Sequence, residues 1–222
     1  VTESTESRLF ALSGLVGRSI SRHEDEALQR YVDMLVGPGV ERGLLGPREA
    51  DRIWDRHILN CAALSPLLRA GSAVADVGSG AGLPGIVLAL LRPDLTVTLI
   101  EPLLRRATFL GEVLGELDLT GRVTVARARA ENYRGEAVDV VVARAVAPLD
   151  KLAGWAIPLL RPGGMVLAMK GQRAGAEMDE HRAALHRLGA RSIDVVTVGI
   201  GHLAEPTTVV VITVQGSDRD QL

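Results

Sequence analysis

The spacing of hydrophobic and polar positions changes its period once along the chain, near residue 70. Before that point apolar residues recur at helical spacing. Leu28, Tyr31, Val32, Leu35 and Val36 form one such run, which Gly37-Pro38-Gly39 stops. A second helix is predicted from about Pro47 through Ile53, Trp54, His57, Ile58 and Leu64, with Pro66 near its end. From Ser72 onward the pattern is one of short β-rich runs, at 74–77, 97–100, 123–125, 138–142 and 165–168, separated by helical stretches. Such alternation predicts a mostly parallel sheet covered by helices on both faces and joined by right-handed crossovers. Two last runs, Ile193–Val198 and Thr207–Val214, follow one another with only a short loop between them and predict a terminal antiparallel hairpin. The organisation expected is a helical extension over residues 1–70 and an α/β domain over 71–216 with a seven-stranded sheet.

Composition narrows the function classes. With 222 residues, 47% hydrophobic and 23% charged, the chain can bury a full core and is not disordered. No apolar run approaches the roughly 18 residues of a membrane span, and Val1 to Arg8 lacks the basic-then-apolar pattern of a secretory signal. A soluble, cytoplasmic protein is expected. The single cysteine, Cys61, excludes an internal disulfide and a multi-cysteine zinc site, and it is read as a core residue; no metal site is expected. A net charge of −2 argues against a nonspecific polyanion binder, so any nucleic-acid contact must be a local patch.

The most informative stretch is Asp76-Val-Gly78-Ser-Gly80-Ala-Gly82-Leu-Pro-Gly85, which leaves a predicted strand and enters a helix. Its glycines permit a tight turn and close backbone approach to a ligand at the helix N-terminus. Read from Gly80 the spacing satisfies a dinucleotide fingerprint, and Glu101 lies at the distance of a ribose-binding acid, so a nicotinamide reading survives a motif search. Three details favour S-adenosylmethionine. Asp76 would repel a pyrophosphate but suits the cationic amino-acid part of that cofactor, held through water or backbone. The run Leu159-Leu-Arg-Pro-Gly-Gly-Met-Val-Leu reads as a helix ending in a Pro-Gly-Gly turn that feeds strand five, a common methyltransferase connection. The closing hairpin distinguishes the class I (Rossmann-like) methyltransferase sheet from a six-stranded dinucleotide fold. Glu101 is then expected to accept hydrogen bonds from both ribose hydroxyls, and Ala130-Glu131 to border the adenine.

Methylation classes leave different signatures. Carbon-5 pyrimidine methylation needs a cysteine nucleophile, and Cys61 lies well before the cofactor loop. Exocyclic-amine methylation often uses an Asn/Asp-Pro-Pro-Tyr/Phe turn after strand four; here the chain reads Ala143-Arg-Ala-Val-Ala-Pro148. An arginine in that place suggests a nucleophile that needs positioning rather than proton removal.

Taken together, Arg56-His57-Ile-Leu, the Asp76 to Gly85 loop, Arg105-Arg-Ala-Thr-Phe-Leu110, Arg127-Ala-Arg-Ala-Glu131, Ala143-Arg-Ala145 and Ala168-Met-Lys-Gly171 resemble the glucose-inhibited division protein B family over roughly residues 24–214. The resemblance implies methylation of guanine N7 in 16S ribosomal RNA, with cofactor contacts at Gly78, Leu83, Ala130, Glu131 and Arg144. Asp76, Gly80 and Glu101 join that set from the reading above. Arg129, Lys170 and Arg173 are expected on the RNA side, with Arg144 and Lys170 as candidate positioning groups. Two departures from the family pattern, Gly43-Leu-Leu45 and Thr207-Thr208, bear on substrate docking. His57 is read as structural, and Arg105-Arg106 as divided between a solvated face and RNA contact. The partner expected is an assembled or partly assembled small ribosomal subunit, with the protein acting as a monomer away from membranes. A small-molecule or protein methyltransferase on the same sheet, and a non-catalytic S-adenosylmethionine-sensing RNA-binding module, are the alternatives.

Overall fold

The computed structural model describes residues 5–216. Residues 1–4, part of the N-terminal stretch read above for a secretory pattern, and residues 217–222 lie outside the described residues. The extension begins with α1 (Thr5–Val16) and α2 (Arg22–Met34). A capping box starts α2: Ser21 Oγ accepts from Glu24 N–H and the Glu24 carboxylate accepts from Ser21 N–H. The helix winds into a π turn over Leu35–Gly39 at Pro38, which cannot donate an amide hydrogen.

The helix expected from Pro47 to Leu64 is not regular. It opens as a 3₁₀ turn (Pro47–Arg52), passes through a π turn (Trp54–Ile58) and ends as the short α3 (Leu59–Ala62). This change of winding matters, because it sets Glu49 against His57 at 2.7 Å. Eight residues of regular α-helix would separate them by about 12 Å of rise.

Seven strands form one sheet, as the strand pattern predicts, in the order β3-β2-β1-β4-β5-β7-β6. They are β1 (Ala73–Val77), β2 (Thr96–Ile100), β3 (Val123–Ala126), β4 (Val138–Arg144), β5 (Leu160–Lys170), β6 (Ala190–Val198) and β7 (Thr207–Val214). The first five pair in parallel, and β7 inserts antiparallel between β5 and β6. Helices α4 (Gly85–Leu91), α5 (Leu104–Glu116), α6 (Leu149–Ala156) and α7 (Ala174–Arg187) make the crossovers. The Pro-Gly-Gly segment departs from expectation: Pro162, Gly163 and Gly164 lie inside β5 rather than in a turn before it. Gly163 takes φ +78°, and the register against β4 shifts between Val138 and Val140. The irregularity absorbs the extra residues that a turn would have removed from the strand.

Alternation along the strands sends side chains to two cores. Val140 and Val142 of β4 join Leu28, Tyr31, Ile58, Leu64 and Ile86 on one face. Val141 and Ala143 join Leu149, Leu152 and Leu185 on the other. The extension therefore packs against the sheet face toward which Val140, Val142 and, two residues on, Arg144 all point. Among the described residues no helix is long and apolar enough to cross a membrane.

Candidate active site

A cavity of about 580 Å³ opens over the ends of β1, β2 and β4. That is where open α/β sheets bind ligands, and the volume suits a nucleoside-sized group. Its floor is the glycine loop between β1 and α4. Gly78, Gly80 and Leu83 all line the cavity. Gly78 has φ +70°, and a Cβ there would come within 2.9 Å of Val146, so the loop after β4 closes directly on it. Gly82 has φ +103°, and a Cβ would strike Ile86 and come within 2.9 Å of Tyr31 Oη. That tyrosine is fully buried and donates to the Ala81 carbonyl at 2.8 Å, fixing the loop from the extension side.

Glu101, 1% exposed at the end of β2, also lines the cavity. Its Oε2 accepts Gly80 N–H at 3.0 Å and its Oε1 accepts Leu103 N–H at 2.9 Å. Each oxygen keeps a second lone pair for a ligand hydroxyl. Ala130 and Glu131, on a 3₁₀ turn after β3, form another wall, with Arg129 at its rim. The Arg129 side chain is 72% exposed and stands 3.9 Å from Glu131.

Three nominated residues lie elsewhere. Asp76 is fully buried beneath the loop and is not among the residues that line the cavity. Its Oδ2 accepts Gly85 N–H at 2.9 Å, and burial pushes its carboxyl up to about 7 against the opposing pull of Gly85 N–H and the Arg144 charge. From there Asp76 seats the first turn of α4 through Gly85 N–H, which leaves the loop backbone between it and the cavity. Lys170 does not face outward to RNA. Its Nζ donates to the Ala147 carbonyl and to Glu177 Oε1, both at 2.8 Å, and Glu177 Oε1 also accepts Leu149 N–H. These bonds tie the loop after β4 to α7 because Lys170 ends β5 beside β4, where the long side chain reaches both. Arg173 is exposed at the start of α7, outside the cavity wall.

Four residues that the sequence does not assign to the cofactor site stand in or against its wall. Leu44 and Leu45 of the extension line the cavity, so the departure at Gly43-Leu-Leu45 sits in its wall. Arg106 turns toward the cavity, 3.8 Å from Glu101, whereas Arg105 is exposed. His57, read as structural, receives a hydrogen bond at Nδ1 from Arg144 Nη1 at 2.7 Å. Arg144 lines the cavity at the end of β4, and the next residue, Ala145, takes φ +52° in the same wall. That conformation costs a non-glycine residue about 1–2 kcal/mol. Cys61 is a core residue as expected; burial pushes its thiol up to about 12.

The model of one protein family, GidB, rRNA small subunit methyltransferase G, matches residues 24–204. The chain belongs to this family. It is 58% identical over 187 residues to the ribosomal RNA small subunit methyltransferase G of Mycolicibacterium gilvum, covering 83% of this chain and 82% of that protein. A protein of the same name from Thermobifida fusca is 55% identical over 187 residues, covering 84% and 78%. Among solved structures, the apo form of the S-adenosylmethionine-dependent methyltransferase SibL superposes with a TM-score of 0.61 at 17% identity, covering 95% of this chain and 74% of that one. A methyltransferase from Pyrococcus furiosus gives 0.54 at 17% identity, covering 69% and 80%. At such identities the structures bear on fold alone, and they share the overall fold of this GidB-family chain.

Proposed function

We propose that the chain transfers a methyl group from S-adenosylmethionine to guanine N7 of small-subunit (16S) ribosomal RNA. The observation that carries this reading is the cavity itself, in which Glu101 and Arg144 face one glycine-floored space at the strand ends of a chain 58% identical to a protein named for that substrate. Bound there, the cofactor supplies an electrophilic methyl group. Glu101 receives the ribose hydroxyls on its two free lone pairs, Gly78 and Gly80 let the backbone approach, and Ala130 with Glu131 borders the base. Arg144 holds the carboxylate end of the cofactor.

Guanine N7 carries its own lone pair, so the chain has no proton to remove. Catalysis reduces to in-line alignment, which contributes on the order of 7–11 kcal/mol when reactants are well oriented. The residues present suit that demand. The only cysteine is buried and a poor nucleophile, and the β4 end presents an arginine, with no general base among the named wall residues there. Leu44 and Leu45 exclude water from one side.

The substrate proposed is the assembled or partly assembled small subunit, met in the cytoplasm by a monomer. With a net charge of −2, affinity must come from shape more than from phosphate neutralisation. Arg129 and Arg173, both exposed, are the cations we assign to the RNA side. Incubating the protein with radiolabelled S-adenosylmethionine and small subunits from a strain lacking the gene, followed by mass-spectrometric nucleoside mapping, tests the proposal. The expected product is one N7-methylguanosine in 16S RNA. Label in another base, in protein or nowhere overturns it.

A further inference from the structure

Arg144 is fixed by a chain of side chains drawn from the extension. Its Nη1 lies 2.7 Å from His57 Nδ1, and His57 Nε2 lies 2.7 Å from Glu49 Oε2. Glu49 Oε1 in turn accepts from Arg56 Nη1 at 3.1 Å. The proton positions follow from chemistry. A guanidinium only donates, so His57 Nδ1 must accept; the imidazole proton then sits on Nε2 and is donated to Glu49. His57 is neutral in this arrangement, and it is buried at 8% exposure between the extension and the sheet.

We propose that His57, oriented by Glu49, is the positioning residue for Arg144 in cofactor binding. Its neutral Nδ1 holds one edge of the guanidinium and leaves the remaining N–H donors facing the cavity. The inference rests on the assignment of Arg144 to the cofactor and extends it to two residues that never touch the ligand. Protonating His57 converts Nδ1 from acceptor to donor and sets two cations against each other, so Arg144 must leave its place. The groups around the relay pull in both directions. Burial and the charges of Arg144 and Arg56 disfavour protonation of His57, and Glu49 favours it. Arg52 and Arg56 act on Glu49 from the extension. Arg144 also acts on buried Asp76 of the sheet and on buried Cys61 and Tyr31 of the extension.

The test is the dissociation constant for S-adenosylmethionine, measured by calorimetry on the full chain from about pH 5.5 to 8. Wild type is expected to lose affinity on the acid side. His57→Asn presents an amide oxygen where Nδ1 stood and cannot titrate. It should bind within about threefold of wild type at the alkaline end and lose the acid limb attributable to His57. Any contribution of Asp76 is common to both proteins and cancels in the difference. His57→Ala should bind about tenfold more weakly at the alkaline end. Glu49→Gln, by removing the charge that favours protonation, should move the acid limb to lower pH, which a merely structural role for Glu49 would not do. Thermal unfolding of each variant is followed in parallel; if His57→Ala fails to fold, the His57→Asn and Glu49→Gln profiles decide. A wild-type acid limb retained in His57→Asn, or an unmoved limb in Glu49→Gln, overturns the relay. Arg144→Ala separates the two levels of the argument. Weakened binding there alongside unaffected His57 variants sinks the relay alone, and wild-type binding by Arg144→Ala removes its premise.

Discussion

Replacing Glu101 by alanine perturbs two functions of one side chain, and the geometry lets each be sized. In the free protein its oxygens satisfy Gly80 N–H and Leu103 N–H at 3.0 and 2.9 Å. Both bonds are only partly buried, so water can take the place of the carboxylate, and the cost in folding stability should be about 1 kcal/mol. In the complex proposed above the same oxygens would accept the ribose hydroxyls. A hydrogen bond to a charged acceptor contributes about 1.5–3 kcal/mol, which sets the expected loss of affinity at roughly tenfold to 150-fold. Glutamine should do little better than alanine, because its single acceptor cannot serve two converging N–H donors. Calorimetric titration reads the effect, with an S-adenosylmethionine analogue lacking one ribose hydroxyl as the control. Wild type should discriminate against the analogue and Glu101→Ala should not. Affinity of the variant within about twofold of wild type, below the smallest effect expected of a charged hydrogen bond, or tight binding of NAD with none of S-adenosylmethionine, would refute the reasoning.

Four further outcomes follow from the same structure. Lys170→Ala removes a half-buried ion pair and leaves the Ala147 carbonyl and Glu177 without their cation; urea unfolding should show a loss of roughly 1.5–3 kcal/mol, and an unchanged midpoint would return Lys170 to the RNA side. Asp76, raised by burial to about 7, favours the folded state most below its ordinary 3.8 and loses that contribution as pH rises through about 7. The difference in stability between wild type and Asp76→Asn should therefore fall between about pH 4 and 7, and a difference independent of pH would contradict the burial argument. Ala145→Gly relieves a left-handed φ of +52° and should raise stability by up to roughly 1 kcal/mol in thermal unfolding; a loss would mean that the methyl group supports the cavity wall. Short naked RNA hairpins should be methylated far more slowly than small subunits, and equal rates on both would refute the reliance on shape.

How much of this was legible in the sequence depends on the range of the signal. The seven strands were readable because each is a short local run, most of them rich in Val, Ile and Thr, and the hairpin followed from Ile193–Val198 and Thr207–Val214 lying so close in sequence. Gly78, Gly80 and Glu101 were readable for a similar reason: one short loop and one strand end, at a spacing set by a βαβ unit, meet wherever that unit forms. The orientation of Asp76 was not readable. The alternation of β1 sends it to the same side as Val74, under the loop, but sequence alone does not say that α4 will cover it. Lys170 misled because an isolated lysine at a strand end looks free until Glu177, seven residues on, returns beside it. The relay was the least visible part. Glu49 and His57 meet only because the segment departs from regular α-helix, and no glycine or proline between residues 48 and 65 marks that departure.

Charge explains why the arrangement around Arg144 is more than a convenience of packing. Methylating guanine N7 places a positive charge on the purine, so a cation stacked on the ring would oppose the transition state and one held beside the ring would not. Strand β4 fixes the base of Arg144, His57 takes one edge of its guanidinium, and the side chain is thereby directed along the cavity wall. From there its charge acts on an anionic or carbonyl group at the edge of the reactants. A neutral partner is the suitable holder. A carboxylate in place of His57 would neutralise the guanidinium and weaken its pull on the ligand, whereas a permanent cation would expel it. Placing the carboxylate one residue further away, at Glu49, fixes the imidazole tautomer and leaves the Arg144 charge available at the site. On the proposed reading the extension contributes to the chemistry through this relay, and it shares one core with the sheet rather than hanging from it.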